Sequence, residues 1–504
     1  MAKQYYKSIY FSDHPSSVTK EKSVTLAFSE NDIKTYFKIK DKSTTEIKEI
    51  IGIENYQELA LLAAEEGRSI NQMIKWLIRK NAPEVDQIEG TTEQDVTFVN
   101  SKNIPFQRWY PYIEGYSPDF ISSLIKDYNI SNLLVYDPFA GTGTTVFTAD
   151  QFNIPSVYSE VNPLLQFLIS TKISVLKETE LRRLDLSSSL RRICSELFND
   201  LKKCPENKKL HQSYYTVFGE SMYFSEDTYK LILKLRTFVD RIEAEDKLLS
   251  DLLSIAVCSC LLSVSLLKKV GDVRFKTPKE LEKGIPSLKD VLSQKLLEIS
   301  EDIIDQNYHL KSDAKFIIAN AKDIGSVDKL EIGAVITSPP YLNGTNYFRN
   351  TKIELWFLRF LKEENDLRGF RDQILTSGIN DVKMSQACNI DDIINKSKML
   401  KSTLKTLNEK AYDKRIPIMV VSYFAEMYQI FNDLKVHLLD KAKLLIDLGD
   451  SIFCGVHIKT DAILIEILKS LGYKLVDFKV LRKRRSKNQE ILSQVLIVFS
   501  YQRK

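Results

Sequence analysis

The chain has 504 residues, of which 43% are hydrophobic and 27% charged, and its 71 Lys and Arg nearly balance its 67 Asp and Glu. This composition is typical of globular proteins and excludes wholesale disorder, while the length predicts more than one domain at roughly 100–200 residues each. A net charge of +4 excludes a histone-like polycation but is compatible with a local basic face that binds nucleic acid.

The first 100 residues are predicted to form a small accessory region. Residues 58–78 have the pattern of two helices around Gly67, with Ser69 as the N-cap of the second helix. An ordinary helical hairpin and the helical half of a ribbon-helix-helix or similar DNA-binding unit both fit this pattern. The acidic, apolar-poor residues 84–100 are predicted to be a linker.

From Asn132 onward the sequence contains short apolar runs, separated by stretches in which apolar residues recur with helical periodicity. Such runs are typical of buried strands in a parallel sheet, and they lie at residues 132–136, 156–159, 316–318, 334–336, 443–446 and 495–498. The alternation predicts an α/β fold with a doubly wound, mostly parallel sheet.

A glycine-containing motif, residues 137–145 (DPFAGTGTT), follows the first predicted strand. Gly141 and Gly143 permit a tight turn and close approach of a ligand to the backbone, and the next helix begins with unbonded N–H groups. No Lys follows the glycines and a third glycine is missing, which excludes a Walker A loop and a G-x-G-x-x-G fingerprint. Glu160 ends the next strand, where a carboxylate can accept hydrogen bonds from a ribose diol.

A mostly helical insertion is predicted to interrupt the sheet at residues 171–313. Its most apolar stretch, residues 252–267, is short and contains Ser, so we expect a buried helix rather than a membrane span. The six Cys form no C-x-x-C pair and the five His are scattered, so we predict neither a disulfide scaffold nor a metal site.

The motif Thr337-Ser338-Pro339-Pro340-Tyr341 ends the strand at residues 334–336. The two prolines fix the backbone, and the Ser338 hydroxyl and Pro339 carbonyl can both accept from an amino group. The Tyr341 ring can stack on a planar base. The motif therefore predicts a rigid binding site rather than a purely structural turn.

Together the two motifs resemble those of the amino-group DNA methyltransferases of the Ser-Pro-Pro-Tyr type, which use S-adenosyl-L-methionine. Residues 115–120 are similar to the element that closes over the methionine end of the cofactor, and residues 320–323 to the segment that contacts its adenine. Residues 447–461 resemble a late-strand segment of the cytosine-N4 branch. The resemblance covers residues 105–170 and 314–500 and implies a Rossmann-like methyltransferase sheet.

The resemblance implies a role for each matching residue. Asp137 is expected near the methionine amino group, Glu160 at the ribose and Asp323 at the adenine amino group. The implied catalytic residues are Ser338, Pro339, Pro340 and Tyr341. The implied cofactor-binding residues are Tyr116, Ser117, Asp137, Phe139, Ala140, Gly141, Gly143, Thr144, Glu160, Asn162, Asp323 and Thr337.

The implied reaction is methylation of the exocyclic N4 of cytosine in duplex DNA after base flipping. The absence of a Pro-Cys pair disfavours cytosine-C5 chemistry. Methylation of adenine N6, methylation of an RNA amino group, and a non-catalytic DNA-binding regulator are the alternatives. The predicted methyltransferase core comprises residues 101–170, 314–360 and 413–504, and residues 361–412 are a possible target recognition segment.

The expected partners are double-stranded DNA and a cognate restriction endonuclease encoded separately, in the cytoplasm and without a membrane. The oligomeric state stays open. Cations that could contact phosphates lie in a predicted hairpin loop at residues 482–487 and after the predicted apolar helix, namely Arg482, Arg484, Arg485 and Lys276.

Overall fold

The computed structural model describes residues 100–112, 115–342, 347–382, 390–485 and 489–503. The two helices predicted at residues 58–78 lie outside these residues, so both interpretations of that pattern stay open. The predicted linker lies outside them as well, apart from its last residue.

The fold is built on a seven-stranded sheet. The described strands are β1 (Leu134–Asp137), β2 (Ser156–Ser159), β3 (Leu267–Val270), β4 (Asp272–Phe275), β5 (Ala314–Ile318), β6 (Ile332–Thr337), β7 (Leu438–Gly449), β8 (Ser451–Phe453), β9 (Val456–Ile458), β10 (Lys474–Arg485) and β11 (Ile491–Ser500). The sheet order is β10-β11-β7-β6-β1-β2-β5. The strands from β7 to β5 in this order pair in parallel, while β11 is antiparallel to both β7 and β10.

Helices cover both faces of this sheet. The described helices are α1 (Pro118–Asp127), α2 (Thr144–Gln151), α3 (Pro163–Lys177), α4 (Glu180–Lys203), α5 (Lys208–Phe218), α6 (Glu226–Glu245), α7 (Lys247–Leu261), α8 (Pro278–Leu281), α9 (Leu288–Ile303), α10 (Tyr347–Asn350), α11 (Lys352–Phe357), α12 (Glu364–Arg371), α13 (Ile390–Lys396), α14 (Lys398–Lys410), α15 (Arg415–Leu434) and α16 (Thr460–Ser470). Short 3-10 helices lie at Asn100–Asn103, Gln107–Trp109, Ala321–Ser326, Ile379–Asp381 and Lys435–His437.

Successive strand residues point to opposite faces, which is why short apolar runs form the middle of the sheet. Val135 and Leu445 pack with α1 and α2 on one face. Tyr136 and Leu444 pack with α15 and α16 on the other. The predicted doubly wound, mostly parallel α/β sheet is confirmed.

The insertion joins β2 to β5, which are neighbours in the sheet. Its helices α4, α7 and α9 pack in an apolar core that they share with α2, α3 and α11. The insertion differs from the predicted one in one respect, because α7 ends at Leu261 and the chain then forms the β3–β4 hairpin. The Ser263 and Ser265 hydroxyls donate to the carbonyls of Cys260 and Leu262, and such local bonds compete with continued helix.

No described helix is both long and apolar enough to cross a membrane. Among the described residues, no three His, Cys, Asp or Glu side chains are grouped as ligands for a metal ion.

The insertion also holds the segment that precedes α1. The buried Asp302 carboxylate on α9 accepts from the Phe106 N–H at 3.0 Å and from the Trp109 indole N–H at 2.9 Å. Arg108 pairs with the same carboxylate, its Nε lying 3.1 Å from Oδ2. A side chain of the insertion therefore fixes the path of the chain toward Tyr112, which reaches the site described below.

Candidate active site

The carboxyl ends of the five parallel strands meet at one edge of the sheet, where ligands of open α/β sheets bind. A cavity of about 390 Å³ lies at this edge. This volume falls within the range of roughly 300–1,000 Å³ that is usual for small-molecule sites. The loops after β1, β2, β5 and β6 all contribute to its wall.

The cavity brings together most of the residues named from the sequence. Those that line it are Tyr116, Phe139, Ala140, Gly141, Thr144, Glu160, Asn162, Ser338, Pro339, Pro340, Tyr341, Arg482 and Arg484. Those that are not part of its wall are Ser117, Asp137, Gly143, Asp323, Thr337, Arg485 and Lys276.

The glycine loop requires glycine at two positions with positive φ, +56° at Gly141 and +84° at Gly143. A Cβ at Gly143 would lie 2.8 Å from Phe147 Cε2 and 3.0 Å from Ile169 Cγ1, inside the packed start of α2. A Cβ at Gly141 would lie 3.3 Å from the Tyr112 ring. The motif therefore has both a conformational and a steric reason for its glycines.

Gly143→Ala is expected to lower the free energy of unfolding by about 2–4 kcal/mol, since it combines a left-handed backbone with overpacking. Gly472→Ala is the matched control, because Gly472 has φ +92° and no atom within 4 Å of an added Cβ. The control should lower the free energy of unfolding by about 1–2 kcal/mol, because it strains only the left-handed backbone. Urea unfolding of both variants measures the difference, and equal losses would argue against the contact with Phe147.

Asp137 lies beneath the cavity wall and ties three segments together. Its buried carboxylate accepts from Thr337 Oγ1 at 2.8 Å, from the Phe139 N–H at 3.1 Å and from the Tyr116 hydroxyl at 3.1 Å. Burial raises the pKa of this carboxyl, and the hydrogen bonds from Thr145 and Thr337 oppose the rise. The arrangement fixes the glycine loop against β6 and the segment before α1.

Two further residues expected at the cofactor lie elsewhere. Ser117 is the N-cap of α1 and its buried hydroxyl accepts from the Phe120 N–H at 3.2 Å. Asp323 is exposed on a 3-10 helix, whereas the neighbouring Asn320 and Ala321 line the cavity. The geometry thus makes Ser117 a capping residue, and the contact proposed for Asp323 stays a prediction.

Glu160 links the end of β2 to the glycine loop. Its Oε2 accepts from the Gly141 N–H and its Oε1 from the Asn162 N–H, each at 2.8 Å. Burial raises the pKa of Glu160 to about 7, and these two backbone bonds oppose the rise. The Val161 N–H is a third backbone donor to this carboxylate, which has about four lone-pair sites in all and so keeps limited capacity for a ligand.

Sequence reasoning missed Lys172, a fully buried lysine on α3. Its Nζ donates to the Thr142 carbonyl in the glycine loop at 3.2 Å and lies 5.1 Å from the centre of the Phe147 ring. Desolvation lowers the pKa of this amine to about 7. The signal was a lysine with apolar residues of α3 on both sides, unlike Lys177 at the end of the helix.

Sequence reasoning also left Asp447 out of the site, although the resemblance covered its segment. The Tyr341 hydroxyl donates to Asp447 Oδ2 at 3.1 Å, and Gln494 Nε2 lies 3.0 Å from both carboxylate oxygens. Ser338 also hydrogen-bonds Asp447, and burial raises the pKa of this carboxyl to about 7. The Tyr341 ring packs against Gly449, where an added Cβ would lie 3.0 Å from both Cδ2 and Cε2 of the ring.

Arg482 and Arg484 form the basic side of the cavity, but not from a loop as predicted. They are among the last residues of β10, with Arg482 paired to Gln494 and Arg484 to Leu492 across the hairpin. Lys and Arg are common on edge strands, where they discourage pairing with other chains. Lys276 has a structural contact instead, since its Nζ donates to the Ser265 carbonyl at 2.6 Å.

Part of the segment predicted for target recognition also reaches the cavity, through Gln373, Ile374 and Leu375. The Thr376 N–H donates to the buried Glu426 on α15 at 2.7 Å, which anchors this stretch. The segment therefore lies beside the site, and its role in base recognition stays a prediction.

Comparison with known proteins gives similarity along most of the chain, although no protein-family model matches it. The chain is 25% identical over 424 residues to the type II methyltransferase M.AvaI from a Nostoc species and from Anabaena variabilis, covering 78% of this chain and 84% of that protein. It is 25% identical over 452 residues to the type II methyltransferase M.BsoBI from Geobacillus stearothermophilus, covering 81% and 86%. Among solved structures, the rRNA methyltransferase aviRa from Streptomyces viridochromogenes covers 78% of this chain and 86% of its own, at 8% identity and a TM-score of 0.25. The sequence similarity supports a methyltransferase.

Proposed function

We propose that this protein is a site-specific DNA methyltransferase that methylates the exocyclic N4 of cytosine in duplex DNA, using S-adenosyl-L-methionine. The observation that carries the proposal is the cavity that joins the glycine loop after β1 to the Ser-Pro-Pro-Tyr motif after β6. Similarity to two type II methyltransferases over most of the chain supports it. Such an enzyme would protect host DNA from a separately encoded restriction endonuclease.

The residues present fit the cofactor. The Glu160 carboxylate lies on the wall and keeps capacity to accept from a ribose hydroxyl, and Gly141 permits close approach of a ligand to the backbone. Phe139 and Tyr116 offer aromatic surface beside them. When bound, S-adenosyl-L-methionine supplies an electrophilic methyl group.

The protein's task is to make a poor nucleophile reactive. The lone pair of an exocyclic amino group delocalises into the ring, so acceptors that favour a pyramidal nitrogen help it to react. The Ser338 hydroxyl and Pro339 carbonyl supply these acceptors, and the hydrogen bond to Asp447 orients the hydroxyl. Preorganised acceptors also stabilise the positive charge that develops on the nitrogen.

The target base must leave the duplex to enter this cavity. The Tyr341 ring, packed against Gly449 and held by its hydroxyl bond to Asp447, lines the cavity, where a flipped base can stack on it. The same acceptors would serve adenine N6, and the choice of cytosine rests on the resemblance of Ser-Pro-Pro-Tyr to the N4 branch.

Purified full-length protein, tritiated S-adenosyl-L-methionine and unmethylated duplex DNA test the proposal, with digestion to nucleosides and identification of the labelled one. We expect label in N4-methylcytosine. Label in N6-methyladenine would overturn the choice of base, and label only in RNA, or in no nucleic acid, would overturn the proposed function.

A further inference from the structure

The β3–β4 hairpin contacts two segments that line the cavity. Asn350, which ends α10, accepts from the Val273 N–H at 2.9 Å and donates to the Gly271 carbonyl at 3.0 Å. The first residues of α10, Tyr347 and Phe348, line the cavity. On the other strand, Lys269 Nζ lies 5.8 Å from the centre of the Tyr112 ring, which also belongs to the wall.

The two faces of this hairpin differ in character. Leu267 and Val273 lie on the inner face and are buried in the core of the insertion. Lys268 and Arg274 are paired across the strands on the outer face, with side chains 48% and 43% exposed. Val270 at the turn is 59% exposed, an apolar side chain next to two exposed cations.

The sequence around the hairpin is strongly basic. Residues 267–283 carry five Lys and one Arg against three carboxylates. One of these carboxylates, Glu280, bridges the outer face, with Oε1 2.7 Å from Lys268 Nζ and Oε2 2.8 Å from Arg274 Nη1. The bridge holds both cations in place, and Asp272, paired with Val270, adds a second carboxylate to this face. The excess of three cations over carboxylates belongs to residues 267–283 as a whole.

We infer that the outer face of the β3–β4 hairpin docks on the backbone of the duplex next to the flipped base, with Lys268 and Arg274 on phosphates and Val270 against the sugar edge. The inference rests on the proposed function, because a duplex whose target base enters the cavity must place its flanking phosphates at the cavity opening. Charge complementarity selects DNA as the partner, since phosphates are the ligands that paired, exposed cations bind. Glu280 then acts as an internal competitor of the phosphates.

Binding of a labelled mixed-sequence duplex of about 30 base pairs, measured by fluorescence anisotropy from about 50 to 300 mM KCl, tests the inference on the full-length protein. K268A/R274A should reduce the slope of log K against log salt by about 1.8, at roughly 0.9 per lost phosphate contact. The affinity should fall about tenfold near 0.1 M salt. The control K202A/K203A removes two exposed lysines at the end of α4 and should leave the slope unchanged.

Glu280→Gln provides a test of opposite sign. The amide keeps the length of the side chain but no longer neutralises the two cations, so the duplex should bind about two- to threefold more tightly at low salt. Val270→Asp should weaken binding, because it places a carboxylate against the DNA backbone. Unaltered circular dichroism and Tm would show that these exposed positions leave the fold intact.

An unchanged salt slope in K268A/R274A, or weaker binding in E280Q, would overturn the inference. Unchanged DNA binding with a changed mass in light scattering would overturn it in favour of an interface between copies of the chain. The proposed function is tested separately and fails if the unaltered protein transfers no label to DNA. In that case the salt dependence of duplex binding still shows whether the hairpin contacts DNA.

Discussion

Replacing Tyr341 with alanine is expected to lower kcat/KM on duplex DNA by about 10- to 100-fold, because stacking of a base on an aromatic ring contributes roughly 1–3 kcal/mol. The ring is preorganised for this role, since it packs against Gly449 and its hydroxyl is bonded to Asp447 at 3.1 Å. Steady-state methyl transfer measures the loss. Calorimetric titration should show that the cofactor still binds with nearly its original affinity.

Tyr341→Phe is the matched control, because it keeps the ring and removes the hydroxyl bond. This variant should lower kcat/KM by about 3- to 10-fold, which corresponds to the loss of one hydrogen bond of roughly 0.5–1.5 kcal/mol. A loss in the phenylalanine variant as large as that in the alanine variant would mean that the bond to Asp447, rather than stacking, is what the enzyme needs. Unchanged turnover in both would remove Tyr341 from the catalytic site.

Replacing Glu160 with alanine should affect the other half of the cavity and raise the Kd of the cofactor by about 30- to 150-fold. The estimate corresponds to about 2–3 kcal/mol for the loss of charge-assisted hydrogen bonds. The variant also leaves the N–H groups of Gly141 and Asn162 without their carboxylate. Calorimetric titration at pH 8 measures the affinity, and an unchanged Kd would exclude Glu160 from the cofactor site.

The pH dependence of the same calorimetric titration tests whether Glu160 is the carboxylate that binds the cofactor. Burial raises the pKa of Glu160 to about 7, and hydroxyl donors bind its ionised form. Cofactor affinity of the unaltered protein should therefore weaken as the pH falls through 7, whereas the alanine variant should lack this component. The stability of the fold should depend on pH in the opposite direction to cofactor affinity. Because folding raises the pKa of Glu160, its contribution to the free energy of unfolding declines as the pH rises from about 4.5 to 7.

The parts of the fold that follow from burial could be predicted from the sequence. Strands such as Ser156–Ser159 are short apolar runs because both of their faces are covered, and this leaves a pattern that can be recognised. β10 leaves no such pattern, since an edge strand rich in Lys and Arg resembles a charged loop. The start of β3 was hidden because apolar residues continue past Leu261 with helical spacing, and serine hydroxyls end the helix.

The site could be predicted where motifs fix the backbone, as at Gly141 and Pro339, because the chain itself dictates the local shape. The roles of Lys172 and Asp447 could not be predicted, since each residue acts through contacts with residues that are distant in the sequence. For Asp137, the sequence identified the residue but not its role. The motif marks the residue, but only the tertiary bonds from Tyr116 and Thr337 show that its carboxylate supports the loop from below.

The insertion determines when the two halves of the site can meet. Ser156 of β2 pairs with Ala314 of β5, and every residue of the insertion lies between them in the chain. During synthesis, the glycine loop emerges well before β6 brings Ser338 beside it. Closing so long a loop slows folding more than it reduces stability. Because Phe147, Leu253 and Trp356 share one apolar core, the insertion packs fully only after the segment that follows β6 has been synthesised. The two halves of the catalytic centre therefore come together only once the whole insertion has emerged.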